Sequence, residues 1–115
     1  MGIAQLVVVS NPLPGQEDEY NEWYSNRHLK DVLEVPGVVS ATRLKLAGDP
    51  IGAGCWKYAA LYTVDHDDPQ SVLDELSKRS GTDRMPLSKA LDLDGLYAAI
   101  YEPIVAAPPV GPVTR

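Results

Sequence analysis

Two spacings of apolar positions alternate along the chain. Residues 3–10, I-A-Q-L-V-V-V-S, form a β-branched run of strand length. Ile3, Val7 and Val9 fall on one side, and Ala4, Leu6 and Val8 on the other, so this strand needs a cover on both faces. Asn11-Pro12-Leu13-Pro14-Gly15 breaks the run as a loop. The acidic start Glu17-Asp18-Glu19 then suits the positive end of a helix that runs on to Pro36, which disfavours helical backbone at Val35. A second strand is expected over 38–47, with Val39, Ala41, Arg43 and Lys45 on one face and Val38, Ser40, Thr42, Leu44 and Leu46 on the other. After the turn-rich stretch 48–55, residues 56–64 make a third strand with Trp56, Tyr58, Ala60, Tyr62 and Val64 on one face. Asp68 is expected to cap a second helix, 69–80, which starts at Pro69, buries Val72, Leu73 and Leu76, and ends at Gly81. A short helical piece from Pro86 to Leu91 and a fourth strand, 95–102, complete the pattern.

The order strand–helix–strand–strand–helix–strand is the split βαβ, ferredoxin-like plan: an α+β domain with a four-stranded antiparallel sheet and helices on one face. It occupies 1–102, and 103–115 is a proline-rich C-terminal arm. The helices cover one face of the sheet. A second copy of the chain is the economical cover for the other, which predicts a two-fold homodimer.

Composition narrows the function classes. With 115 residues the chain is one domain. A net charge of −6 offers no basic stripe for phosphates or anionic lipid, so neither nucleic acid nor a membrane surface is an expected partner. There is no apolar run of about 18 residues and no signal-peptide pattern. The single cysteine, Cys55, has no internal partner, which suits a reducing cytoplasm. Asp65-His66-Asp67-Asp68-Pro69 reads as a helix start rather than a metal cluster, and no metal site is expected.

The chemistry concentrates in Y-N-E-W-Y-S-N-R-H-L-K-D-V-L-E-V-P-G, residues 20–37. At about 100° per residue, Tyr20, Trp23, Tyr24, Arg27, His28 and Asp31 share one broad face, while Leu29 and Leu33 point elsewhere. A face that is aromatic and ionisable suits a pocket better than a core. His28 has the unperturbed pKa for proton transfer near neutrality. Asp31, three residues on, is placed to orient its imidazole, and Tyr24 to donate to a substrate oxygen. Arg27 would neutralise an enolate or carboxylate, or else pair with Asp31 at i,i+4. The bland alternative is that His28 is a core histidine bonded to backbone. Tyr20 and Trp23 are candidate walls for a flat ligand, as are Tyr62 and Tyr97, for which barrel filling at a dimer interface is the competing reading. Asn11, with Ser10, is a candidate polar contact.

The stretch W-Y-S-N-R-H-L-K-D-V-L-E-V-P-G-V-V-S-A-T-R, following a strand and a G-Q-E-D-E loop, resembles the dimeric α+β barrel superfamily, and within it the EthD-like branch. That resemblance spans residues 3–102. It implies a homodimer with a cavity between sheet and helices, entered beside the first helix. The expected enzyme is cytoplasmic and needs no organic cofactor. The superfamily includes polyketide cyclases, muconolactone isomerases, cofactor-free monooxygenases and haem-degrading enzymes, so reaction type is less constrained than fold. The expected activity is proton abstraction beside a carbonyl, leading to cyclisation, isomerisation or elimination of an aromatic, polyketide-like or lactone-like metabolite. His28 would be the general acid or base, with Asp31, Tyr24 and Arg27 in support. The alternatives are a cofactor-free monooxygenase and a non-catalytic haem or hydrophobic-ligand binding protein with His28 as the axial candidate.

Overall fold

The computed structural model describes residues 3–105 and residue 107. Its elements are β1 (Ile3–Ser10), α1 (Glu17–Trp23), a π-helical turn (Tyr24–His28), α2 (Leu29–Leu33), β2 (Val38–Lys45), β3 (Tyr58–Asp65), α3 (Pro69–Arg79) and β4 (Tyr97–Tyr101). The strands form one sheet in the order β2-β3-β1-β4. Every neighbouring pair is antiparallel. This is the ferredoxin-like α+β arrangement, each helix returning the chain to a strand position separated from the last.

Alternation along the strands decides what the helices cover. Ala4, Leu6 and Ser10 of β1 and Tyr58, Ala60, Tyr62 and Val64 of β3 face the helices and are buried. They pack against Tyr20, Tyr24, Val32 and Val35 of the first helical stretch and Val72 of α3. Val7 pairs with Leu61 and with Ala99, and Val9 with Ala59 and Tyr97, on the opposite face. That face carries no helix among the described residues.

Four local expectations change. The second strand contains a β-bulge between Val38 and Ser40, so that Val38 pairs with Val64 and Ser40 with Thr63. The extra residue reverses the strand's parity: Val38 joins Ala41 on the buried side, and Val39 turns out to 59% exposure. The strands expected at 38–47 and 95–102 are also trimmed by one or two residues at their ends, and the one expected at 56–64 starts two residues later and runs one further, to Asp65.

No helix forms over Pro86–Leu91. The Ala90 carbonyl accepts from Leu13 N–H at 2.7 Å, and Asp92 N–H donates to the Asn11 carbonyl at 3.0 Å. Ser88 Oγ accepts from Ala90 N–H at 3.0 Å, the local bond that competes with a helical turn. A six-residue helix would give up these long-range bonds for a costly nucleus.

Asp68 stands at the α3 N-cap position, but its side chain makes no capping bond. Its own N–H donates instead to His66 Nδ1 at 2.9 Å. Finally, most of the proline-rich arm, 103–115, lies outside the described residues. Among those that are described, no helix is long and apolar enough to cross a membrane.

Candidate functional site

The π-helical turn governs which side chains face inward. Leu29 N–H donates to the Tyr24 carbonyl, five residues back, so this turn holds one residue more than an α-turn. Beyond it the helix phase lags by about 100°. His28 and Val32 take the line along which a regular helix would put Arg27 and Asp31. Val32 and Val35 are accordingly buried, Leu29 packs against the core, and Leu33 stays exposed.

Arg27 is turned out, its side chain half exposed, and its Nε donates to Asp31 Oδ2 at 2.8 Å. It also donates to the Asp83 carbonyl at 3.2 Å. The Asp31 carboxylate is therefore engaged by Arg27, and it makes no hydrogen bond to His28 among the described residues. The i,i+4 pairing is the arrangement found, and the orientation of His28 comes from elsewhere.

That orientation is aromatic. The imidazole stacks on Trp23, with centroids 4.5 Å apart and planes 28° from parallel. The Tyr24 ring meets it edge-on at 4.9 Å. Trp23 is itself fixed by its indole N–H donating to the Pro86 carbonyl at 3.0 Å. Burial pushes the His28 pKa down to about 4, the Asp31 charge opposing the shift. The ring is thus neutral at pH 7. Its Nδ1 is buried and has no hydrogen-bond partner.

His28 lines a cavity of about 380 Å³ between the sheet and the helices. Leu6, Val8 and Tyr62 form its sheet wall, Leu73 and Leu76 of α3 the opposite one, and Met85 with the loop up to Leu96 closes it. Its volume lies at the small end of the range for ligand pockets, about 300–1,000 Å³. All the lining residues are uncharged, and the polar ones are His28, Tyr62, Ser77 and Ser80. The Tyr62 hydroxyl donates to the Tyr24 hydroxyl at 3.4 Å. Burial pushes Tyr24 up to about 12 and raises Tyr62 as well, so both phenols keep their protons.

Of the residues singled out by the sequence, then, His28 and Tyr62 reach the cavity, with Trp23 and Tyr24 directly behind them. Tyr20 sits in a neighbouring cluster, its hydroxyl 2.6 Å from Ser10 Oγ. Asn11 is occupied elsewhere: its amide donates to the Cys55 carbonyl at 3.2 Å, and its Oδ1 accepts from Lys57 N–H at 2.7 Å. Tyr97 is on the uncovered face, its hydroxyl 2.7 Å from that of Tyr101. Its position opposite Val9 sends it away from the cavity.

Arg43 was not singled out, although its alternation with Ala41 put it on the helix-facing side of β2. Its guanidinium lies 4.6 Å from the Tyr24 ring centroid, 5.5 Å from Tyr20 and 5.3 Å from Tyr58. It donates to Ser25 Oγ at 2.8 Å and Asn21 Oδ1 at 2.9 Å, tying the π-helical turn to the sheet. Tyr58 completes this cluster by donating to Glu17.

Neither a family model nor a curated protein sequence matches the chain. Solved structures do. An ethyl tert-butyl ether D (EthD) family protein from Bacillus halodurans C-125 superposes with a TM-score of 0.54 at 16% identity, over 90% of this chain and 100% of that one. A Shewanella loihica PV-4 protein, provisionally named a monooxygenase, gives a TM-score of 0.56 at 15% identity, over 91% and 97%. A dimeric ferredoxin-like protein of unknown function from Jannaschia sp. CCS1 gives a TM-score of 0.56 at 18% identity, over 88% and 99%. Likeness at this level of identity is a likeness of fold, and the chain has the ferredoxin-like α+β fold.

Proposed function

We propose that this protein is a small cytoplasmic enzyme that works on an uncharged carbonyl compound without an organic cofactor, by acid–base chemistry in the cavity beneath α3. The observation that carries this reading is an imidazole at the wall of an apolar cavity whose Nε2 makes no hydrogen bond among the described residues. A histidine serving only the core would have its nitrogens satisfied. His28 is the acid–base group. Tyr24 and Tyr62, held protonated by burial, support it behind and beside. Trp23 orients the ring, the role first expected of Asp31. Cyclisation, isomerisation and elimination all begin by polarising a carbonyl and moving the proton beside it, and the site suits that common step.

The working unit is a homodimer. Val7, Val9, Leu61, Leu44, Tyr97 and Tyr101 would otherwise leave an apolar sheet face in water. One fold neighbour is a dimer.

Hydrogen–deuterium exchange beside the carbonyl of 1-tetralone, followed by NMR in D₂O, tests the activity without knowledge of the natural substrate. The wild type should accelerate exchange, and His28→Ala should lose it by on the order of 10²–10⁴-fold while remaining folded. Exchange that persists in His28→Ala, with only the melting temperature lowered, refutes the catalytic role. A cofactor-free monooxygenase is the second reading, supported by the apolar cavity, which suits dioxygen, and by the name given to one neighbour. Oxygen consumption with a hydroquinone substrate would distinguish it.

A further inference from the structure

The proton on His28 is decided by what surrounds its two nitrogens. A neutral imidazole carries one N–H and one bare nitrogen. Nδ1 has no accessible surface and no partner. A proton there would be a buried donor with nothing to accept it, which native structures rarely tolerate, whereas a bare buried acceptor is tolerated more readily. Nε2 makes no hydrogen bond among the described residues and is not sealed off in the same way. The stacked Trp23 and edge-on Tyr24 hold the ring in this plane.

The remaining polar groups of the cavity are already committed or peripheral. The Tyr62 proton is given to Tyr24. Ser80 Oγ donates to the Leu76 carbonyl at 2.7 Å, and Ser77 is exposed at the rim. No lysine or arginine lines the cavity.

We propose that the cavity takes an uncharged ligand through a carbonyl-type acceptor oxygen, which His28 holds as an Nε2–H hydrogen-bond donor. This deepens the proposed function and rests on the cavity being its ligand site. His28 then meets the ligand from the acid side: its N–H stabilises the charge that builds on the oxygen, while the proton beside the carbonyl leaves to solvent water and the C–H electron pair becomes the enolate's. Carboxylate substrates are selected against, because their charge would be buried with no cation to pair it. Specificity thus falls on ketones, quinones, esters or lactones whose bodies are apolar.

Two measurements on the full-length protein test this. In the first, ¹⁵N-labelled protein is examined by long-range ¹H–¹⁵N correlation at pH 7, with His66→Gln used to assign the two histidines. His28 should show the Nε2–H tautomer. The Nδ1–H tautomer or an imidazolium would overturn the proposal.

In the second, NMR titrations compare tetralin, 1-tetralone and 1-naphthoate. The ketone should bind about five- to tenfold more tightly than the hydrocarbon, as one hydrogen bond of about 1 kcal/mol requires. The naphthoate should bind at least about tenfold more weakly than the ketone. His28→Gln, which keeps an N–H near the Nε2 position, should retain part of the ketone preference, and His28→Ala should abolish it while leaving tetralin binding. Equal binding of ketone and hydrocarbon by the wild type, or tighter binding of the naphthoate, overturns the donor role. Failure of all three probes to bind overturns the cavity as the ligand site. Binding with the expected preference but no deuterium exchange leaves this inference standing and removes the enzymatic reading alone.

Discussion

Lowering the pH from about 7.5 to about 4.5 should weaken this protein through His28 in a calculable way. The folded-state pKa of His28 is about 4, against an ordinary 6.5 in the unfolded chain. Above pH 6.5 the ring is neutral in both states and the stability is fully present. Between 6.5 and 4 only the unfolded chain takes up the proton, so stability falls as the pH falls, and below about 4 the loss levels off. Integrating between the two pKa values gives a loss of about 1 kcal/mol at pH 5.5 and about 2–3 kcal/mol at pH 4.5.

The assay is urea unfolding of wild type and His28→Gln at one protein concentration, because an oligomer's stability depends on concentration. Subtracting the two curves removes what His66 and the carboxylates contribute alike to both. The wild type should lose about 2–3 kcal/mol relative to the variant across this range. A difference that stays within about 0.5 kcal/mol, or that grows in favour of the wild type in acid, refutes both the burial and the neutrality assigned to the ring.

Three further outcomes are expected. Gly37→Ala should cost about 1–3 kcal/mol, read as a drop in melting temperature. Gly37 has a φ of 99°, and a Cβ there would lie 3.0 Å from His66 Cδ2 and 3.3 Å from Val72 Cγ2, so an unchanged melt would contradict the turn geometry. Arg27→Ala should destabilise by about 1–3 kcal/mol in calorimetry by stripping the buried Asp31 carboxylate of its partner, and should cost more than Asp31→Asn, which removes that charge. If Asp31→Asn costs more, Asp31 serves something other than this pair. Val7→Arg, on the uncovered sheet face opposite Leu61, should give a folded protein of half the wild-type mass by light scattering. A wild type that is already monomeric at micromolar concentration refutes the dimer.

The element order, the facing of β1 and β3 and the two helix starts were legible in the chain. Alternation within a strand and helical spacing over two or three turns are local properties that burial enforces residue by residue. The buried set Tyr58, Ala60, Tyr62 and Val64 is an example. The candidate site was legible as a neighbourhood, with His28, Tyr24 and Trp23 together on one helix. Its roles within that neighbourhood were not. A periodicity argument assumes regular geometry, and one extra residue in a turn or a strand shifts everything beyond it while leaving no mark in composition.

The π-helical turn did this at Tyr24–His28, sending Arg27 out to Asp31 and bringing His28 in. The bulge at Val39 did the same for β2. Contacts far apart in sequence decided the rest: which strand face Tyr97 occupies, how residues 85–96 close the cavity, and that Arg43 packs among three tyrosines. The sequence by itself determined which side chains were available in each segment. Only packing between segments decided which of them meet, because a helix takes up an extra residue where sheet and helix together bury more by its presence.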